Sequence, residues 1–214
     1  MNDLPVELRI KSTVQLRGFS GDPRICCFVA LDFETADSGR DSACALGLVK
    51  VSPDGKIDRL YHLIRPPRKY IPFTWVHGIS WAHVANKPTF GELWPEFERF
   101  IVGADFLVAH NAAFDRGVLH ACCALPGMKA PELPFFCSVQ LAKRTWNFAR
   151  NNLPSLSQYL GFSLQHHNAA SDAEACAMIV LAAARHRGEL EMPWVPVGSP
   201  KAKRSPRSRN GGAS

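Results

Sequence analysis

The sequence predicts an α/β domain, a mixed sheet with helices on its faces, and three features point to it. Two β-prone runs, "ACALGLVKV" and "KIDRLYHLI", flank a "PDG" turn, the signature of an antiparallel hairpin. Beyond residue 88, stretches with helical periodicity alternate with short apolar runs, as in a sheet with helical crossovers. The last apolar stretch, 170–187, is alanine-rich and free of breakers, so it reads as a long helix.

Taken in order, residues 1–24 show no firm periodicity and are expected to form an irregular lead-in. "CFVALDF" (27–33) is a continuous apolar run and predicts a buried first strand. Residues 43–51 and 56–64 predict strands two and three, joined at 53–55, so the first three strands form an antiparallel meander. "RPPRKYIPFTWVHGIS" (65–80) holds three prolines and predicts a loop. A helix is expected at 89–103, with Pro95 as a blemish, then a strand at 105–110 and a helix at 111–125. "PFFCS" (134–138) predicts a short strand, 139–146 a helix, and 153–161 a short helix stopped by Gly161.

Composition sets the class. The 214 residues suit one medium domain, expected at 25–190, and are enough to bury a core without staples. No apolar run approaches a membrane span, and the N-terminus lacks the apolar core of a signal peptide, so no membrane role is expected. The seven cysteines form no CxxC pair and mostly fall in apolar segments. They read as reduced, packed thiols of a cytoplasmic protein, not as zinc ligands or disulfides. The net charge of +6 belongs to the end of the chain. Residues 199–214 carry Lys201, Lys203, Arg204, Arg207 and Arg209 and no acid; the rest has 20 basic against 19 acidic residues. A disordered basic tail is therefore expected over 191–214, either a weak phosphate binder or simply a solubilising extension.

The chemistry lies in acids placed where apolar side chains belong. Along the first strand Phe28, Ala30, Asp32 and Glu34 share one face, so two carboxylates point the same way. Asp115 extends the apolar stripe Val118, Leu119 and Cys122 of its helix. Asp172 extends the stripe Ala175, Cys176, Ile179, Val180 and Ala183 of the last helix. A solvated strand end or a helix cap explains any one of these acids alone. Four converging on one core suit Mg²⁺ or Mn²⁺, because hard oxygen donors select such ions over zinc. Two ions about 3.5–4 Å apart on such a cluster are the apparatus of phosphodiester hydrolysis. A histidine general base would complete it.

Three segments, "LDFET" (31–35), "AHNAAFD" (109–115) and "HNAASDA" (167–173), resemble in order the exonuclease motifs of the DEDDh superfamily. That group contains the proofreading epsilon subunit of bacterial DNA polymerase III and exonuclease X-like enzymes. The resemblance covers about residues 26–185 and takes in "VHGI" (76–79) and "LSQYLGF" (156–162). It implies a ribonuclease H-like fold with a five-stranded mixed sheet, and stepwise 3′→5′ release of nucleoside 5′-monophosphates. It also implies that Asp32, Glu34, Asp115 and Asp172 hold two Mg²⁺ or Mn²⁺ ions. By the same resemblance, the backbone at Glu34 and Thr35 would meet the terminal 3′-hydroxyl. Val76 and His77 would lie against the last base, and His110 and Asn111 near the phosphate.

Each secondary residue has a simpler rival role: Asn111 suits a helix N-cap, Phe114 suits the core, and His77 could brace a loop beside Gly78. In relatives the histidine stands five residues before the final aspartate, which selects His167; the fourth position is Asn168, not the tyrosine of the other type. In an extended segment His166 would point the opposite way, leaving His167 as the general base and His166 as a solvated neighbour. The expected partner is a nucleic acid with a 3′ end, DNA favoured, with a polymerase or repair protein as a further partner. The rival functions are a 3′→5′ exoribonuclease on the same fold, and a silent nucleic-acid or polymerase adaptor.

Overall fold

A computed structural model describes residues 26–187 of the chain. The lead-in expected at 1–24 and the tail expected at 191–214 lie outside those residues. Three strands open the fold: β1 (Phe28–Thr35), β2 (Ala43–Val51) and β3 (Ile57–Leu63). They form the expected antiparallel meander, with Phe28 opposite Val51 and Val51 opposite Ile57. β4 (Phe106–Ala109) lies parallel to β1 and β5 (Phe135–Cys137) parallel to β4, giving the order β3-β2-β1-β4-β5. β1 is thus the central strand. It runs to Thr35, past the apolar run that predicted it, because Glu34 and Thr35 continue the ladder to Ala45 and Ala43 across a bulge at the far end.

Alternation along β1 divides the core in two. Val29, Leu31 and Phe33 pack with α3 (Phe90–Ile101) and α4 (Ala113–Ala124). Phe28 and Ala30 face the other way, into a cluster with α5 (Ser138–Thr145) and α7 (Ala169–Arg187). α3 starts where its sequence says it should: Glu92 N–H donates to Thr89 Oγ1 at 3.3 Å, and Thr89 N–H donates to Glu92 Oε2 at 2.7 Å. Pro95 sits inside the helix without ending it, while Phe90, Leu93, Trp94, Phe97 and Ile101 stay buried along one side. The short α6 (Leu153–Leu160) is capped by Asn152, whose Oδ1 accepts from Ser155 N–H at 3.0 Å, and stops at Gly161 with φ 74°.

Two expectations change. The loop read at 65–80 contains a one-turn helix, α1 (Thr74–His77), and a second, α2 (Trp81–Val84), follows it. Such short helices leave no periodicity to read. The last helix is also not amphipathic with one buried stripe. Cys176 and Val180 meet the sheet while Ala175 and Ile179 meet α5 and α6, since alanine lets neighbours approach from two sides.

Gly47 sets how closely α7 can approach. It pairs with Asp32 across β1 and β2, and a Cβ built there would run into the Ala169 carbonyl, with Ala170 N only 2.7 Å away. The obstacle is backbone, so it cannot swing aside. Gly47→Ala is expected to push the start of α7 off the sheet, costing about 1–3 kcal/mol of stability as an overpacked site. It should also cost more activity than the Tm loss accounts for, because the displaced turn carries Asp172. Thermal unfolding and kcat on an oligonucleotide check this, and unchanged values for both would show that α7 adapts freely.

Candidate active site

Asp32 and Glu34 continue the row begun by Phe28 and Ala30, the row that faces α7. α7 supplies Asp172 in its first turn, one helical step before Cys176 and two before Val180, which anchor that face to the sheet. One oxygen from each of Asp32, Glu34 and Asp172 lies within 4.8 Å of the others. Asp115 arrives from the opposite face. Val118, Leu119 and Cys122 seat α4 on the sheet, and Asp115 Oδ1 accepts a 3.1 Å hydrogen bond from Phe33 N–H, between Asp32 and Glu34. Three carboxylates are therefore clustered, and the fourth grips the strand that carries two of them.

The electrostatics follow from burial and like charge. Asp32 is held well above the usual carboxylate range by burial, then by Asp115, Asp172 and Glu34. Glu34 is pushed up to about 8 by burial and by the charges of Asp172 and Asp115. Burial lifts Asp115 to about 7 against the opposing donation from Phe33 N–H. Asp172 is also raised by burial, but the His166 ring and the His167 N–H pull it back. Such an arrangement is costly in water and becomes favourable around a cation. Asp172 Oδ1 strengthens that reading: it is buried and has no hydrogen-bond partner among the described residues. The donor set is all oxygen and fits a hard divalent ion.

The histidine pair departs from expectation. Residues 166 and 167 do not run extended, because His167 has a φ of 65°, in the left-handed region. Their rings therefore do not point apart; they stack at 3.9 Å. His166 Nδ1 lies 3.1 Å from Asp172 Oδ2, while His167 reaches the same oxygen through its backbone N–H at 3.0 Å. Both rings are exposed, so His166 is solvated as expected, but it also pairs with the aspartate.

The remaining residues are placed as follows. Thr35 is buried at the end of β1, and its carbonyl accepts from His77 Nε2–H at 3.1 Å. His77 Nδ1 accepts from Ile79 N–H at 3.0 Å, which fixes the tautomer and makes the ring a brace for the turn at Gly78. Burial lowers its pKa, and the ring is neutral. Val76 precedes it on α1, partly buried. His110 Nδ1 shares a 2.8 Å hydrogen bond with Ser138 Oγ, and burial takes its pKa down to about 4. Asn111 is exposed with φ 74°, so it turns the chain into α4 and does not cap it; Ala112 holds the cap position without a side-chain bond. Phe114, expected in the core, is exposed and lies under the Arg40 guanidinium at 5.5 Å. Arg40 donates to Phe114 carbonyl O at 2.9 Å and draws the Asp115 pKa down. Nothing in the sequence marks Arg40, Gly47 or the ring of His166, because each acts through a contact made across the fold. The seven cysteines are free thiols, and burial lifts Cys44 to about 12, Cys122 to about 11 and Cys123 to about 12, so these three remain protonated. Among the described residues no helix is long and apolar enough to cross a membrane.

Known proteins resemble this chain in sequence and fold. The family model described as RNase_T, an exonuclease, matches residues 29–180. The chain is 35% identical to the PolC-type DNA polymerase III of Clostridium perfringens over 72% of its own length and 11% of the relative's, so it spans about a tenth of that polymerase. It is 32% identical to exodeoxyribonuclease 10 of Escherichia coli, covering 63% of this chain and 61% of the relative. It is 31% identical to the DNA polymerase III subunit epsilon of Escherichia coli, covering 72% and 70%. Among solved structures, exonuclease X in complex with 5′ overhanging duplex DNA superposes with a TM-score of 0.61 at 28% identity, covering 75% of this chain and 93% of that one. The nuclease domain of 3′hExo, a DEDDh family member bound to rAMP, matches at a TM-score of 0.65 over 82% of this chain and 98% of that one. At 14% identity it speaks for the ribonuclease H-like fold alone.

Proposed function

Because this chain belongs to the RNase_T exonuclease family, we propose that it removes nucleotides stepwise from the 3′ ends of DNA as 5′-monophosphates. The observation that carries this reading is the cluster of Asp32, Glu34 and Asp172, with Asp115 bonded to the strand between the first two. Together these four would hold divalent cations, Mg²⁺ or Mn²⁺. Such ions lower the pKa of an attacking water and stabilise the leaving oxygen.

The chain's own residues would do the rest. The β1 end at Glu34 and Thr35 would receive the 3′-terminal sugar, and α1 with Val76 and His77 would line the terminal base. His77 keeps α1 against Thr35 and so sets that distance. His110 and Asn111 would border the scissile phosphate. His167 would accept a proton from the attacking water. DNA is favoured over RNA because exodeoxyribonuclease 10 and exonuclease X with duplex DNA are among the relatives at higher identity. Resemblance to PolC-type polymerases and to subunit epsilon makes a polymerase the proposed protein partner.

Digestion of 3′-labelled and 5′-labelled DNA and RNA oligonucleotides tests the proposal, with Mg²⁺ or Mn²⁺ against excess chelator. A 5′-labelled DNA ladder shortening one nucleotide at a time, only with metal, is the expected result. Faster RNA trimming would move the substrate to RNA. Absence of cleavage with either ion would favour a silent adaptor.

A further inference from the structure

We propose that Trp75 is a stacking platform for an upstream base of a single-stranded 3′ end. Helix α1 buries none of its four residues, and Trp75 is 83% exposed, with Tyr70 at 77% on the loop before it. A tryptophan left in water contributes nothing to the core, and its large flat face suits a π-system that arrives from outside.

The exposed ring stands on a firmly held backbone. Phe73 N–H donates to the Ala36 carbonyl at 3.3 Å, and His77 Nε2–H donates to the Thr35 carbonyl at 3.1 Å. These two tethers bracket Trp75 and tie it to the residues that follow Glu34. Thr74 Oγ1 closes the turn from within, 2.9 Å from the Ile71 carbonyl and 2.8 Å from that of Ile79. His77, two residues on, is held to Thr35 beside Glu34, so α1 borders the site on that side. The tethers to Thr35 and Ala36 make a strand whose 3′ end sits at the site the occupant of this face, and one exposed cation lies within its reach. Arg68 is committed to Asp37 and Asp41, but Lys69 beside Tyr70 is exposed. Stacking also tolerates every base, as stepwise removal from a 3′ end demands.

The inference rests on the exonuclease reading, and one experiment separates the two. Steady-state kinetics would be measured on a short single-stranded oligothymidylate and on a blunt duplex, with Mg²⁺, for wild type, Trp75→Ala and Trp75→Phe. On the single strand, Trp75→Ala is expected to raise KM about 10- to 100-fold, the scale of losing one base–aromatic stack, with kcat changed far less. Trp75→Phe should recover most of the loss, and the duplex should respond less than the single strand. An unchanged KM on the single strand, or an equal loss on both substrates, would overturn the stacking role while leaving the exonuclease reading intact. Lack of cleavage by the wild type would remove the reading on which it rests.

Discussion

Asp32→Asn is expected to reduce kcat by at least about 10³-fold, the scale of losing a principal charge-stabilising group, while the chain stays folded. The variant should in fact be more stable than wild type in excess chelator. Asp32 sits within a cluster whose members raise one another's pKa, so removing one charge relieves the others. The effect has a defined pH window. Glu34 and Asp115 hold protons to about 8 and about 7 in the folded chain, whereas unfolded carboxylates release them near 4. The folded state therefore binds more protons than the unfolded state between those limits, and stability is lost as pH rises through them. Each group can cost up to about 1.4 kcal/mol per pH unit within its window. Metal-free wild type should thus lose Tm steadily from about pH 5 to about pH 8 and level off above, with a shallower fall in the Asp32→Asn variant. Added Mn²⁺ or Mg²⁺ should flatten the wild-type curve and leave the variant nearly unmoved. A wild-type Tm indifferent to both pH and metal would show that the carboxylates neither repel nor bind cations.

His167→Ala is expected to cost about 10²–10⁴ in kcat, and His166→Ala less than about tenfold, the difference between losing a general base and losing its neighbour. The geometry makes this a real contest. His166 Nδ1 lies 3.1 Å from Asp172 Oδ2 and His167 N–H donates to that same oxygen at 3.0 Å, while a ring nitrogen of each histidine lies within 4.8 Å of the Asp172 carboxylate. An ion in the cluster would compete with His166 for Asp172. The stacked pair lies on a turn in which His167 holds a φ of 65°. Metal affinity read by calorimetry should rise slightly in His166→Ala, because a competitor for Asp172 is gone, and stay near wild type in His167→Ala. The rate of the wild type should fall below a histidine-like pKa, and that limb should vanish in His167→Ala. The reverse order of damage would assign the base to His166.

The amino-acid sequence by itself determined much of this protein. Alternation along 28–34 put Asp32 and Glu34 on one face, and the helical spacing of Asp115 and Asp172 put each in line with core residues. The meander came from a single "PDG" turn, and the helix at 90–101 from the helical run read over 89–103. All of these depend on neighbours within a few residues, which is where periodicity and capping act.

Only the tertiary structure decided the rest. Asp115 reaches the acids of β1 from α4, on the face opposite α7, and bonds to the Phe33 N–H that lies between Asp32 and Glu34. Gly47 mattered through the backbone of α7, more than a hundred residues away. The histidines stacked where an extended chain would have parted them, because Asp172 draws both a ring and a backbone N–H to one oxygen. Asn111 and Phe114 likewise left the roles their residue types suggested, one turning the chain and the other facing solvent under Arg40. A periodic pattern tells which side of an element is buried, but contacts between elements distant in sequence depend on where the sheet brings them together.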